Sequence, residues 1–374
     1  MAAKHIFISA GELSGDIHGG NLIAALKKLA PELSITAIGG DNMAFAGAQL
    51  IYHIRETSFM GFAEVIKHLP AVRRLWKTTL NHLDETKPNL AVVIDYPGFN
   101  LRLAKALTAR QIPVIYYISP QVWAWRESRV KKIKRSTQQV LCILPFEEEW
   151  FRKRDVAAHF VGHPLLDQIA KEQSQNEIVQ SLRPPEAKPF IGLFPGSRQQ
   201  EVERHLPVMI DTIRLLKKKF PAIKAAVAVA PEINLEQFIN DKDDLLFWIK
   251  NHNHQLIQES DGLIMASGTA TLEATIFQKP FTVIYKMSGI SYLLGKRLIK
   301  VPFITIANLV AGQQVVTEFI QTYATAPNIA TEVEAIILNQ AYRERIAHSL
   351  AEVVHQLGEA GASDRAAKII LSYL

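Results

Sequence analysis

The sequence predicts an α/β protein built from two doubly wound, parallel-sheet domains in tandem. Three observations carry that prediction. The 374 residues exceed one ordinary domain. Short runs rich in β-branched or aromatic residues alternate with amphipathic stretches, as strands joined by crossover helices do. That rhythm breaks at a polar, proline-containing stretch, AKEQSQNEIVQSLRPPEAKP (170–189), and then restarts.

In the first half the strand candidates are HIFIS (5–9), SITAI (34–38), NLAVVID (89–95), PVIYYIS (113–119), QVLCIL (139–144) and AHFVG (158–162). Helical patterns run between them, for example over 100–110 and 126–134. After the break come strands FIGLFPG (190–196), IKAAVAVA (223–230), DGLIMAS (261–267) and FTVIYKM (281–287). Helices are predicted over 200–220 and 269–277, and helical patterns fill the chain from about 331 to 374. Two doubly wound domains imply a cleft, with ligands at the carboxyl ends of strands.

Composition narrows the class. The chain is 48% apolar and 21% charged, enough for a large core. A single cysteine, Cys142, excludes an internal disulfide framework and predicts an intracellular protein. The net charge is 42 minus 36, or +6. That reads either as a lysine-rich solvated surface or as attraction to a nucleic acid, lipid headgroup or nucleotide. No zinc spacing or run of RNA-type aromatics supports nucleic acid. MAAKHIFISAG holds no long apolar stretch before a cleavage site, and no stretch reaches the ~18 apolar residues of a spanning helix. The expectation is a soluble protein, peripheral to a membrane at most.

Three loops carry chemistry. ISAGELSGDIHGGNL (8–22) joins the first strand to the first helix and is neither a dinucleotide fingerprint nor a Walker A loop. Gly11, Gly15, Gly19 and Gly20 permit tight turns, and Ser14 and Asp16 are helix-capping types. Glu12 and Asp16 would repel a phosphate, so the loop suits sugar hydroxyls or catalysis, or is an ordinary capped turn. FPGSRQQE (194–201) sets Gly196, Ser197 and Arg198 between strand and helix, where amides and a guanidinium make an anion cradle; Ser197 also reads as a simple N-cap. ASGTATLEA (266–274) offers the small residues Ser267, Gly268, Thr269, Ala270 and Thr271 to a diphosphate, and Glu273 to a ribose diol. The last two together favour a nucleotide-diphosphate site in the second domain.

SAGELSGDIHGGNL, MGFAEV, SPQVWAWRESRVKKI, LPFEEEWF, FVGHPLLD, PGSRQQEVERHLP, SGTATLEA and NLVAG resemble, in order and over nearly the whole chain, the lipid-A-disaccharide synthase family. The resemblance implies a GT-B glycosyltransferase: two Rossmann-like domains facing across a cleft. Residues 1–167 plus 358–374 would bind the acceptor, with the last helix packing back, and 168–357 would bind the sugar nucleotide. It implies transfer from UDP-2,3-diacylglucosamine to 2,3-diacylglucosamine 1-phosphate in lipid A biosynthesis, giving a β-1,6 disaccharide and UDP. Asp95 in VVIDYPGFN (92–100), at the carboxyl end of a strand, matches the family's general base, with Asn100 beside it. Glu12, Ser14, Gly15 and Asp16 would line the acceptor side, and Asn308 in ITIANLVAG (304–312) the donor side. No cofactor and no bound metal are implied. DKDD (241–244) contains a D-x-D but reads as a solvated charge run. The chain departs from common family patterns at Gly98, Ala307, Gln313 and Thr317, while Glu318 is retained.

Acylated substrates require a membrane or acyl-chain surface. In FMGFAEVIKHLPAVRRLW (59–76), Phe62, Val65, Ile66, Leu69, Val72 and Trp76 recur at helical spacing beside Lys67, His68, Arg73, Arg74 and Lys77. Such a basic amphipathic stretch lies in an anionic interface, or packs as two helices with a solvated basic side; Pro70 would divide it. SYLLGKRLIKVPFI (291–304) is a second basic-apolar stretch. The expected location is the cytoplasmic face of the inner membrane, with a homodimer allowed and no nucleic-acid partner. Trp123 and Trp125 are expected at a cleft wall rather than as a base-stacking platform. Two alternatives share the fold: a UDP-sugar 2-epimerase and a non-catalytic nucleotide-sugar-binding protein.

Overall fold

The computed structural model describes residues 4–56, 69–174, 180–231, 233–236, 238, 244–289 and 300–374. The chain forms two compact units, Met1–Ser174 with Leu357–Leu374, and Gln175–Gln356.

The first unit holds seven parallel strands: β1 (His5–Ser9), β2 (Ser34–Gly39), β3 (Gln49–His53), β4 (Leu90–Ile94), β5 (Val114–Tyr117), β6 (Gln139–Cys142) and β7 (Ala158–Phe160). Their order is β3-β2-β1-β4-β5-β6-β7. Alternate residues of one strand feed two cores, because a pleated strand points successive side chains to opposite faces. Ile6 and Ile8 pack with Leu22, Ile23 and Leu26 of α1 (Leu13–Leu29), whereas Phe7 packs with Leu103 and Leu107 of α4 (Pro97–Thr108). The final helix, Ala362–Leu371, returns to this unit and adds Ala366, Ala367 and Ile370 to the α1 layer. Asp167 accepts from the Gly361, Ala362 and Ser363 amides at its start.

The second unit repeats the plan with six parallel strands: β8 (Phe190–Phe194), β9 (Lys224–Val229), β10 (Leu246–Lys250), β11 (Gly262–Ala266), β12 (Phe281–Tyr285) and β13 (Glu318–Ile320), in the order β10-β9-β8-β11-β12-β13. Ile191 and Leu193 enter one core, Phe190 and Phe194 the other. The long helix α8 (Gln199–Lys217) follows β8, and α10 (Thr269–Ile276) follows β11.

Each sheet reverses its strand order once, between β1 and β4 and between β8 and β11. Loops leaving the carboxyl ends of neighbouring strands diverge there and open a crevice. The loops after β1, β4, β8 and β11 are the ones the sequence marks as chemical.

The strands missing from the sequence reading are β3, β10 and β13, all at sheet edges. Their residues are largely half-buried, so they lack the uninterrupted apolar run that marks a central strand. The helix predicted over 126–134 also begins differently: Arg126 is left-handed (φ 56°), a 3-10 turn covers Glu127–Arg129, and α5 is Val130–Ser136.

Of the apolar stretch, Phe62, Val65 and Ile66 lie outside the described residues, and α3 spans Leu69–Thr86. Val72 is half-buried, and Trp76 sets its ring edge-on to Phe99 at 5.6 Å, packed on the core. Arg73, Arg74 and Lys77 are exposed. Among the described residues no helix is long and apolar enough to cross a membrane.

Candidate active site

In the first unit the chain leaves β4 through two consecutive left-handed residues, Asp95 (φ 40°) and Tyr96 (φ 47°). Each such non-glycine residue costs on the order of 1–3 kcal/mol and persists only where the surroundings hold it. Here they do. The Asp95 amide donates to the Ile118 carbonyl at 3.1 Å. Its own carbonyl accepts from Tyr116 Oη at 2.7 Å and from Asn100 Nδ2 at 2.9 Å. The Tyr96 ring lies against Gly11; a Cβ at position 11 would stand 2.1 Å from that ring, so no larger residue fits there.

Asp95 is half-buried on this turn, at the β1–β4 reversal. Its pKa is pushed up to about 6, first by burial and then by the negative charge of Glu12, with the Tyr96 amide opposing both. Glu12 is the exposed N-cap residue of α1, and Ser14 is exposed in its first turn. Two carboxyl groups, one half-buried and one exposed, thus act on each other at the reversal point.

Three of the residues expected on the acceptor side are buried, and two of them hold neighbouring backbone. Asp16 is buried, and its carboxylate accepts from the Gly40, Asn42 and Met43 amides at 2.6, 3.1 and 3.2 Å, capping the short helix Asp41–Phe45. Asn100 is buried; its amide donates to the Ile94 and Asp95 carbonyls, and its oxygen accepts from Ser9 Oγ at 2.8 Å. Gly15 is buried too. Polar residues at crevice-forming turns have two possible uses, and sequence spacing does not separate them.

In the second unit β8 runs into Pro195 and Gly196. Gly196 has φ +120°, and an added Cβ would approach the Glu201 carboxylate to 2.6 Å. Arg198, not Ser197, occupies the N-cap of α8, with no side-chain cap there. Both are exposed, and the Arg198 guanidinium meets Glu201 at 3.5 Å. His205 holds this loop and went unnoticed in the sequence. It is buried, its Nδ1–H donates to the Pro195 carbonyl at 2.8 Å, and its Nε2 accepts from the Lys286 amide at 2.9 Å. Burial lowers its pKa, consistent with the neutral ring that both bonds require. Its signal was the H-L-P following R-x-x-E-x-x-R, which placed a histidine on the inner face of a helix.

On neighbouring β11 the chain passes Ser267, whose Oγ donates to the Ile304 carbonyl at 3.1 Å, and enters α10 at Gly268. No side chain caps α10, so its first amides are left without an intrahelical acceptor, and the strand before it, β11, pairs with β8, which precedes α8. Thr271 Oγ1 turns inward to the Gly268 carbonyl. Glu273 Oε2 is buried without a hydrogen-bond donor, and His254 Nε2 lies 3.6 Å from it. Asn308 likewise holds neighbouring backbone: buried, it donates to the Val316 carbonyl and Glu318 and accepts from the Val315 and Val316 amides. Glu318 also accepts from the Ile304 and Thr305 amides, which explains why these two residues go together. Residues 241–243 lie outside the described residues; Asp244 is exposed and pairs with Lys224 and Lys217.

The profile of the family described as lipid-A-disaccharide synthetase matches residues 6–372. The chain belongs to the lipid-A-disaccharide synthase family. A lipid-A-disaccharide synthase of Myxococcus xanthus is 38% identical over 372 residues, covering 99% of this chain and 97% of the relative. One of Koribacter versatilis is 38% identical over 376 residues (98% of each), and one of Coxiella burnetii 35% over 370 residues (99% and 98%). Among solved structures, a UDP-GlcNAc 2-epimerase from Neisseria meningitidis bound to UDP-GlcNAc aligns with a TM-score of 0.67 at 14% identity, covering 98% of this chain and all of that one. The glycotransferase of kitacinnamycin aligns with a TM-score of 0.66 at 14% identity over all of both chains. At that identity the likeness is one of fold: two Rossmann-like domains of the GT-B kind. A lipid-A-disaccharide synthase is a glycosyltransferase, so the chemistry to be explained is a sugar transfer.

Proposed function

We propose that the enzyme transfers the sugar of UDP-2,3-diacylglucosamine to the 6-hydroxyl of 2,3-diacylglucosamine 1-phosphate with inversion. The first unit takes the acceptor and the second the nucleotide. Asp95 accepts the hydroxyl proton as O6 bonds to the donor's anomeric carbon. The anomeric carbon–oxygen bond breaks, and UDP departs with the electron pair. Arg198, the Gly196–Ser197 backbone and the first amides of α10 hold the diphosphate and stabilise its growing charge. Glu273, whose Oε2 has among the described residues only the loose 3.6 Å approach of His254 Nε2, suits the ribose hydroxyls. The apolar-basic stretch over 59–76 and the exposed Arg73, Arg74 and Lys77 would meet the acyl chains and anionic inner-membrane surface.

The observation that carries this reading is Asp95: a half-buried carboxyl with its pKa near 6, held on a left-handed turn at the β1–β4 reversal. The test is UDP release by purified enzyme in detergent, with and without acceptor, for wild type and Asp95→Asn. Acceptor-dependent release that collapses in the variant is expected. Release without acceptor would point to hydrolysis or an epimerase-like elimination, and none from a folded, UDP-binding protein would point to a sensor.

A further inference from the structure

The loop between β5 and α5 carries an arrangement that the proposed mechanism leaves unused. Trp125 is 40% exposed. The guanidinium carbons of Arg126 and Arg129 lie 4.7 and 5.4 Å from the centre of its ring. Among the described residues neither guanidinium has a carboxylate partner; Glu127, between them, pairs with Arg154 at 2.7 Å. Among the described residues, two like charges are therefore held on one indole without a carboxylate counter-ion. Arg129 has its pKa lowered, by burial first and by the Arg126 charge second. An arriving anion relieves that repulsion, and arginine forks bind phosphate in two parallel bonds.

The arrangement is anchored. Trp123 is buried, donates its indole N–H to Glu147 at 2.9 Å, and meets the Phe146 ring edge-on at 4.9 Å. Buried Glu147 also accepts from Ser119 Oγ and from the Ile143 and Leu144 amides, at 3.2, 3.3 and 3.1 Å. It ties the base of the loop to the start of α6 (Pro145–Arg152). The Arg126 backbone is left-handed, and its carbonyl accepts from the Arg129 amide at 2.9 Å, which brings both side chains to one turn.

The arrangement also follows the strand beside the one that carries the base. β5 is the immediate neighbour of β4, and Arg129 acts electrostatically on Tyr116, whose hydroxyl donates to the Asp95 carbonyl at 2.7 Å. In a hexopyranose the carbon bearing C6 and the anomeric carbon flank the ring oxygen. A phosphate on C1 is therefore one ring away from the 6-hydroxyl. We propose that Arg126 and Arg129, converging on Trp125, form a phosphomonoester subsite that holds the 1-phosphate of the acceptor while its 6-hydroxyl faces Asp95. This rests on the acceptor being a sugar 1-phosphate, as the proposed function has it. The other phosphate in the reaction is the donor's diphosphate, and the experiment separates the two.

UDP release is measured with the phosphorylated acceptor and with the same diacylated sugar carrying a 1-O-methyl group, at varied acceptor and varied donor concentrations. The proteins are wild type, the double variant Arg126→Gln/Arg129→Gln, and Arg126→Lys/Arg129→Lys. Wild type should prefer the phosphorylated acceptor by roughly 10- to 100-fold in kcat/KM, the worth of one or two charge-assisted bonds. In the glutamine variant that preference should fall toward unity through acceptor KM, with donor KM and Tm unchanged, and the lysine variant should recover part of it. Equal losses with both acceptors, an unchanged preference, or a raised donor KM would each overturn the assignment. Wild type without acceptor-dependent UDP release overturns the transferase reading and this one with it.

Discussion

Asn100 Nδ2 donates to the carbonyl of Asp95 at 2.9 Å, and the same amide serves Ile94 at 2.9 Å. A buried asparagine in the first turn of α4 thus holds the left-handed turn that aims the proposed base. Asn100→Ala removes the side-chain donor of the Ile94 carbonyl and leaves the Asp95 carbonyl with Tyr116 Oη alone. Its cost should be about 1–3 kcal/mol, seen as a lower urea midpoint with unchanged slope. Because the turn carries Asp95, kcat should fall roughly tenfold or more while donor KM stays as in wild type. A stable variant with normal kcat would show that the turn holds itself.

The pKa of Asp95 near 6 sets a pH dependence. A base must be ionised to accept a proton, so kcat/KM should rise with pH through about 6 and level above it. The charge of Glu12 is the second cause of the raised value, after burial. Removing it in Glu12→Gln makes the Asp95 carboxylate easier to form, so the rising limb should move to lower pH. Profiles of kcat/KM from pH 5 to 8 for both proteins check this; an unmoved limb would mean that another group titrates.

Arg198 separates function from stability. It is exposed, and its ion pair with Glu201 is a loose 3.5 Å contact. Arg198→Ala should change stability by no more than about 0.5 kcal/mol. If the guanidinium holds the donor's diphosphate, kcat/KM for the donor should drop roughly 10- to 100-fold. Thermal melts beside steady-state kinetics decide it. A variant with wild-type kinetics would remove Arg198 from the site.

Much of this was readable in the sequence because central strands are continuous apolar runs and each ends in a loop of unusual composition. β1, β4, β8 and β11 were visible for that reason, and so were Asp95 and the Gly196–Arg198 loop. The edges β3, β10 and β13 were not, since half-buried strands carry no such run. Asp16, Asn100 and Asn308 were seen as polar residues at the right turns. Whether such a residue faces a ligand or a neighbouring backbone depends on contacts 8 to 91 positions away in the chain, such as Ser9 for Asn100 and Val316 for Asn308. The role of His205 follows from the fold alone: the helical motif shows a histidine, but its two partners, Pro195 and Lys286, come from separate strand ends that only the sheet order brings together.

The final helix adds a prediction about acid stability. It docks on α1 in the unit that also holds half-buried His18 of α1 and buried His163 after β7. Burial lowers their pKa values from 6.5 to about 4 and about 3; Asp167 opposes the shift at His18, and His18 reinforces that at His163. His163 Nδ1 accepts from the Leu165 amide, which needs the neutral ring. His18 Nδ1 is buried with no hydrogen-bond partner, and the buried hydroxyls of Tyr117 and Ser363 share the same region near Asp167. The unfolded chain therefore binds these protons more readily than the folded one. Stability is complete above pH 6.5 and falls as pH drops toward the folded values, by about 2 kcal/mol from His18 alone at pH 5. Raised carboxyl groups such as Asp95 act in the opposite direction, so the readout is a difference between proteins. Urea unfolding at pH 7 and pH 5 should show a smaller loss for His18→Asn than for wild type, by about that amount. Equal losses would mean that His18 stays neutral through unfolding or that water reaches it in the folded state.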